Sequence, residues 1–94
     1  MTRETGLIQQ VADLLRETGR AHHQAFIETD GDDPEWPLWY AGYLQDRLGR
    51  LLNRAFTRSE VVYFLVMAEK EQSARAPGAD WAAFYATLLL ERYD

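Results

Sequence analysis

Apolar residues recur with a helical period from the start of the chain. Leu7, Val11, Leu14, Thr18, His22 and Ala25 follow at spacings of three and four, and Ile8, Leu15 and Phe26 widen the stripe. Gln9, Asp13, Arg16, Glu17, Arg20, Gln24 and Glu28 fall on the other side. This pattern predicts an amphipathic helix with one core face over about residues 5–29. Gly19 inside it weakens the helix by up to about 1 kcal/mol relative to alanine, which tertiary contacts must offset.

Thr29 to Asp33 reads as a turn, with Gly31 able to take the positive φ that stops a helix. Asp33 then reads as the N-cap and Pro34 as the first residue of a second helix, over about 34–53. Pro37 still falls within the first turn, where a missing N–H has no partner to lose. Ala41, Leu44, Leu48, Leu51 and Leu52 make the core face of this helix. Trp36, Trp39, Tyr40 and Tyr43 lie to one side, and the same side continues into Arg47, Arg50 and Arg54. One stripe is thus aromatic at its start and cationic at its end. Gly42 and Gly49 share the far side, where they either admit another backbone or sit on the surface.

Phe56-Thr57-Arg58-Ser59-Glu60-Val61 carries two helix-start signals at once. Thr57 and Glu60 have the spacing of a capping box, and Phe56 and Val61 that of a hydrophobic staple. A third helix is expected over about 58–76. Its first half, Val61 to Ala68, is apolar around the whole circumference, which predicts burial on most sides and makes this helix the expected centre of the molecule. Alone, the run is also compatible with a strand; the capping box before it and Glu69-Lys70-Glu71-Gln72 after it favour helix. Pro77-Gly78 breaks the chain, and Asp80 caps a last helix over about 81–93. Trp81, Tyr85, Leu88, Leu89 and Arg92 share one side of it. The fold class is therefore all-α: residues 1–94 form one compact four-helix domain, whose short connections suit antiparallel up-down neighbours.

Composition narrows the function classes more than it identifies one. A net charge of −5 argues against non-specific binding of nucleic acid, which needs clustered Lys and Arg, and against anionic membrane surfaces. Without cysteine there is no disulfide framework, no thiolate zinc site and no thiol nucleophile. The longest apolar run, Val61–Ala68, is far short of a membrane span, and no signal peptide follows Met1, so the expected location is cytoplasmic. Twelve aromatic residues (13%) are many for so small a chain, and they either fill the core or form a contact surface.

Each candidate for chemistry has a plain structural alternative. His22 and His23 are adjacent, so on a helix they point about 100° apart, and no ligand pair at the three- or four-residue spacing exists; no metal is expected. His22 lies within the apolar stripe, as a buried histidine bonded to a tyrosine or carboxylate, a base, or a pH-sensitive or ligand contact. The acids Glu28, Asp30, Asp32, Asp33 and Glu35 resemble a calcium loop in density only. Counted from Asp30, the sixth and twelfth positions hold Glu35 and Ala41 where glycine and glutamate are required. The run caps and solubilises a turn, holds a cation irregularly, or docks a basic partner. Arg47, Arg50, Arg54 and Arg58 form the opposite pole, and antiparallel pairing of two second helices would bring one copy's acids to the other's arginines.

There is no glycine-rich phosphate loop and no Gly-x-Ser-x-Gly, and the two serines, Ser59 and Ser73, both fall on the third helix. No catalytic residue and no cofactor is expected. A helix-turn-helix reading fails because the third helix opens apolar and ends acidic, the reverse of what DNA contact needs. Two readings of function stand. The first is a non-enzymatic interaction module, a homodimer or an adaptor for another protein, working through Trp36, Trp39, Tyr40, Tyr43, Arg47, Arg50 and Arg54. The alternative is a small-molecule-binding protein or minor enzyme, with a pocket between the first two helices formed by His22, Phe26, Trp36 and Tyr40.

Overall fold

The first amphipathic stripe folds as α1, Arg3–Ala25. In the computed structural model, which describes residues 3–93 with side chains from residue 6, this is the longest of four α-helices, and no strand occurs among the described residues. α1 stops four residues before the expected end at residue 29. The Gly31 N–H takes the Phe26 carbonyl at 2.8 Å, which ends the helical ladder although the apolar pattern runs on. Ile27–Thr29 form a single 3₁₀ turn, Asp30 enters the left-handed region at φ 55°, and Gly31 follows at φ 85°. The Thr29 hydroxyl reaches the Asp32 carbonyl at 2.8 Å, the local bond by which threonine competes with a helix.

α2 spans Trp36–Leu52 and starts two residues later than expected. Asp33 is not its N-cap. One carboxylate oxygen accepts from the Glu35 N–H at 3.1 Å, two residues on, and the other is held by His22 at 3.0 Å. Pro34 and Glu35 therefore form a turn, closed by Trp36 N–H on the Asp33 carbonyl at 3.1 Å. At the far end Asn53 is left-handed (φ 53°), and the Arg54 N–H returns to the Gly49 carbonyl at 3.1 Å. A Cβ on Gly49 would stand 2.8 Å from the Arg54 carbonyl oxygen, so the backbone that this glycine admits is the chain's own.

α3, Arg58–Arg75, opens on the expected capping box. The Thr57 hydroxyl accepts from the Glu60 N–H at 3.0 Å, and the Glu60 carboxylate accepts from the Thr57 N–H at 2.8 Å. Phe56 and Val61 are both buried in the core. Asp80 caps α4, Trp81–Tyr93, by accepting from the Ala82 N–H at 3.3 Å.

The helices pack as a ring: α1 against α2 and α4, α2 against α3, and α3 more lightly against α4. Contacts along α1 and α2 run in opposed order, from His22 with Tyr40, through Glu17 with Tyr43, to Leu14 beside Leu51. The core is Val11, Leu15, Leu44, Leu48, Phe64, Leu65 and Leu89, with Ala41, Ala68, Ala82 and Ala86 fully buried at the helix contacts. Burying each large aliphatic side chain contributes roughly 1.5–3 kcal/mol. No helix of the described residues is long and apolar enough to cross a membrane.

The ring arrangement corrects one expectation: α3 is not the buried centre. Val61, Phe64, Leu65 and Ala68 are buried, but Tyr63 is 58% and Val66 38% exposed, and Val62 and Met67 are half-buried. Two neighbours cover one side of a helix, and an apolar circumference needs more than that.

Candidate functional site

Two regions gather the residues singled out by sequence. The first lies where the end of α1 meets the start of α2. His22 is 6% exposed, and its Nε2 lies 3.0 Å from an Asp33 carboxylate oxygen. Phe26 packs tilted against the imidazole at 4.8 Å, while Trp39 and Tyr40 close it at 5.3 Å each, Trp39 edge-on. Trp36 joins through Tyr40, edge-on at 5.0 Å. All four residues expected around a pocket, His22, Phe26, Trp36 and Tyr40, are thus brought together, and they fill the space with one another. Burial pushes the Tyr40 hydroxyl above its ordinary value.

Trp81 of α4 completes the cluster, and the sequence offered no pairing that would have placed it there. It approaches Tyr40 at 6.5 Å, and both rings lie on Gly19. A Cβ on Gly19 would stand 3.3 Å from the Tyr40 hydroxyl and 3.4 Å from Trp81, so the mid-helix glycine seats two aromatic rings against α1. A shallow groove runs alongside, lined by Arg16, Gly19, Arg20, His23, Gln24, Tyr40 and Trp81.

The two histidines have separate tasks. His23 is exposed, 3.7 Å from Asp30, and its ring rests on Gly31, where a Cβ would be 2.7 Å from Nδ1. Both side chains hold the acidic turn to α1, one from inside and one from outside. The acids themselves diverge: Asp33 points inward to His22, while Glu28, Asp30, Asp32 and Glu35 are exposed. Among the described residues no three His, Asp or Glu side chains converge as a metal site would require.

The aromatic–arginine stripe divides. Trp39 stacks on Tyr43 at 5.6 Å, and the Arg47 guanidinium lies 3.8 Å over the Tyr43 ring while donating to the Tyr43 carbonyl at 2.7 Å. The Tyr43 hydroxyl donates to the Glu17 carboxylate, which holds its pKa above the ordinary value. Arg50 lines a groove with Gln10, Asp13 and Leu14. Arg54 leaves this side altogether. It stacks over Phe56 at 4.9 Å and Tyr93 at 4.7 Å, near Glu60 at 3.9 Å. The helical wheel misplaces it because α2 ends at Leu52 and the left-handed Asn53 turns the chain before Arg54.

The second region was missed. Leu38, Val62, Tyr63 and Val66 form an open apolar face across α2 and α3, edged by Arg58 and Ser59. Arg58 donates to the Leu38 carbonyl at 3.3 Å, and Arg92 lies 5.2 Å from the Tyr63 ring. The signal was present in the all-round apolar run of α3, taken there as a sign of burial.

The imidazole of His22 is shut in by side chains, and neither serine belongs to its cluster. Comparison of the chain with protein-family models, with curated proteins and with solved structures finds no match.

Proposed function

We propose that this protein is a non-enzymatic interaction module, which associates with itself or docks on another protein along the flank of α2. The observation that carries the reading is a set of adjacent exposed apolar side chains: Leu38 is 46%, Tyr63 58% and Val66 38% exposed. A single exposed apolar residue is ordinary on a soluble surface, whereas a contiguous patch marks a contact site. Among the residues first expected at an interface, Trp36, Trp39 and Tyr40 are half-buried and packed into the His22 cluster, whereas Arg47 and Arg50 are exposed. The contact therefore centres on Leu38 and α3, with Arg47 and Arg50 at a more distant rim. On the same reading the module works in the cytoplasm.

The test is sedimentation velocity with circular dichroism on Tyr63→Ser with Val66→Ser, beside Trp36→Ala with Trp39→Ala. The first pair is expected to abolish association at unchanged helicity, and the second to lower stability. Association that survives the first pair removes the α2–α3 flank from the reading. The alternative, a small-molecule binder at His22, draws support from the groove that reaches Tyr40 beside the histidine. A ligand there would shift the His22 and Tyr40 resonances in NMR, and resonances unmoved by a ligand screen would dismiss it.

A further inference from the structure

On α3 the residues Arg58, Val62, Val66 and Glu69 follow at spacings of four, four and three, which puts them on one row of the helix surface. Arg58 and Glu69 are exposed, and the two valines between them belong to the open apolar face or its edge. Among the described residues neither charge has an ion-pair partner, whereas Arg16 has two and Arg54 and Arg75 have one each. The row is a cation, two apolar side chains and an anion, about 16 Å from end to end at 1.5 Å per residue.

Such a row is complementary to itself when reversed. Resting on the reading of the protein as an interaction module, we infer that the occupant of the α2–α3 face is a second copy of this chain, related by a two-fold axis that passes between Val62 and Val66. Antiparallel α3 helices then bring Arg58 of each copy to Glu69 of the other, and Val62 to Val66. Leu38 and Tyr63 close the two sides of the apolar strip. Every contact occurs twice, as an isologous interface requires. The two copies repel through their net charge of −5 each. At physiological ionic strength the screening length is about 8 Å, so that repulsion is mostly damped while charges in contact still act.

The interface is small, so a dissociation constant on the order of 10 µM is expected for the wild-type chain by sedimentation equilibrium. Arg58→Glu and Glu69→Arg each place like charges together, and each weakens the dimer about tenfold or more. The double variant R58E/E69R restores opposite charges across the axis and returns the constant to within about threefold of wild type. Both residues are exposed, so the fold is retained, as circular dichroism will verify. A double variant as weak as the single ones overturns the reciprocal pairing. Dimers unaffected by Val66→Asp and by both charge reversals overturn the face while leaving self-association in place. A wild-type chain that stays monomeric to millimolar concentration overturns the second copy as occupant. Docking on a different protein is then judged by the Tyr63→Ser and Val66→Ser exchange alone.

Discussion

α1 and α3 are of comparable length and meet opposite fates. α1 has one apolar face and a polar back, and its face is covered by α2 on one side and α4 on the other. Val11, Leu15 and Thr18 are at most 2% exposed, and even His22 is enclosed. α3 is the more apolar over Val61–Ala68, yet it shows Tyr63 and Val66 to solvent. Burial in a ring of four helices is set by how many neighbours a helix has. A periodic helix matches two neighbours; an all-round apolar helix has surface left over, and here that surface borders unpaired charges of opposite sign.

The sharpest way to break this contrast is a pair of adjacent substitutions. Leu65 is fully buried and Val66 is 38% exposed. Leu65→Ala is expected to destabilise the fold by about 3 kcal/mol through lost burial and a cavity, and Val66→Ala to change it by less than about 0.5 kcal/mol, both from urea midpoints in dilute protein. Equal costs would mean that α3 is covered on both sides after all.

The core face of α4 gives the next effect. Burial pushes the Tyr85 hydroxyl up to about 12 from an ordinary 10.0. With the folded pKa raised, the stability is intact below pH 10 and is lost as pH rises toward 12, because the unfolded chain releases its proton first. A shift of this size corresponds to a loss on the order of 2 kcal/mol. Thermal melts between pH 9 and 12 should show that alkaline limb, and Tyr85→Phe should shrink it to the part left by Tyr40 and Tyr43, whose hydroxyls are also raised.

Asp33→Ala probes the covered end of α1, where it frees both the His22 ring and the Glu35 amide. The expected cost is about 1–3 kcal/mol, and a chain unaffected by it would show that aromatic packing alone holds the acidic turn. Two glycines sharpen the contrast further. Gly42→Ala meets only the flexible end of Arg58 at 3.4 Å, at the open edge, and should gain up to about 1 kcal/mol of helix propensity. Gly19→Ala meets the Tyr40 hydroxyl at 3.3 Å and Trp81 at 3.4 Å, on the covered side, and that gain should be cancelled. The smallest effect is at the start of α3. The Thr57 N–H holds the Glu60 carboxyl below its ordinary 4.5, so its contribution is present above pH 4.5 and lost as pH falls below it. Glu60→Gln should flatten the acid limb of a pH–stability curve.

Much of the fold was legible because its signals are local. The Thr57–Glu60 capping box, the Pro77-Gly78 break and the periodic stripe of α1 each act within a few residues, and they appear as read except at the end of the stripe, where α1 stops with Ala25 exposed. Asp33 misled for a reason outside its own neighbourhood: it has the right chemistry for an N-cap, but His22, eleven residues earlier, takes one of its oxygens. Arg54 misled because one left-handed residue, Asn53, ends the helical register. His22, Phe26, Trp36 and Tyr40 lie together because one turn separates their helices. The cover over Tyr40 was not legible, because Trp81 arrives from the far end of the chain.

What the sequence by itself determined is the list of helices, the caps of α3 and α4, and the side of α1 and α2 that faces inward. These follow from backbone hydrogen bonds and side-chain periodicity, which act over one or two helical turns. Which face of α3 stays open, that Arg54 stacks on Tyr93 and that Trp81 covers Tyr40 were decided by the tertiary structure alone. Each depends on which distant helix stands alongside, and a residue does not carry the identity of its non-local neighbours in its local pattern.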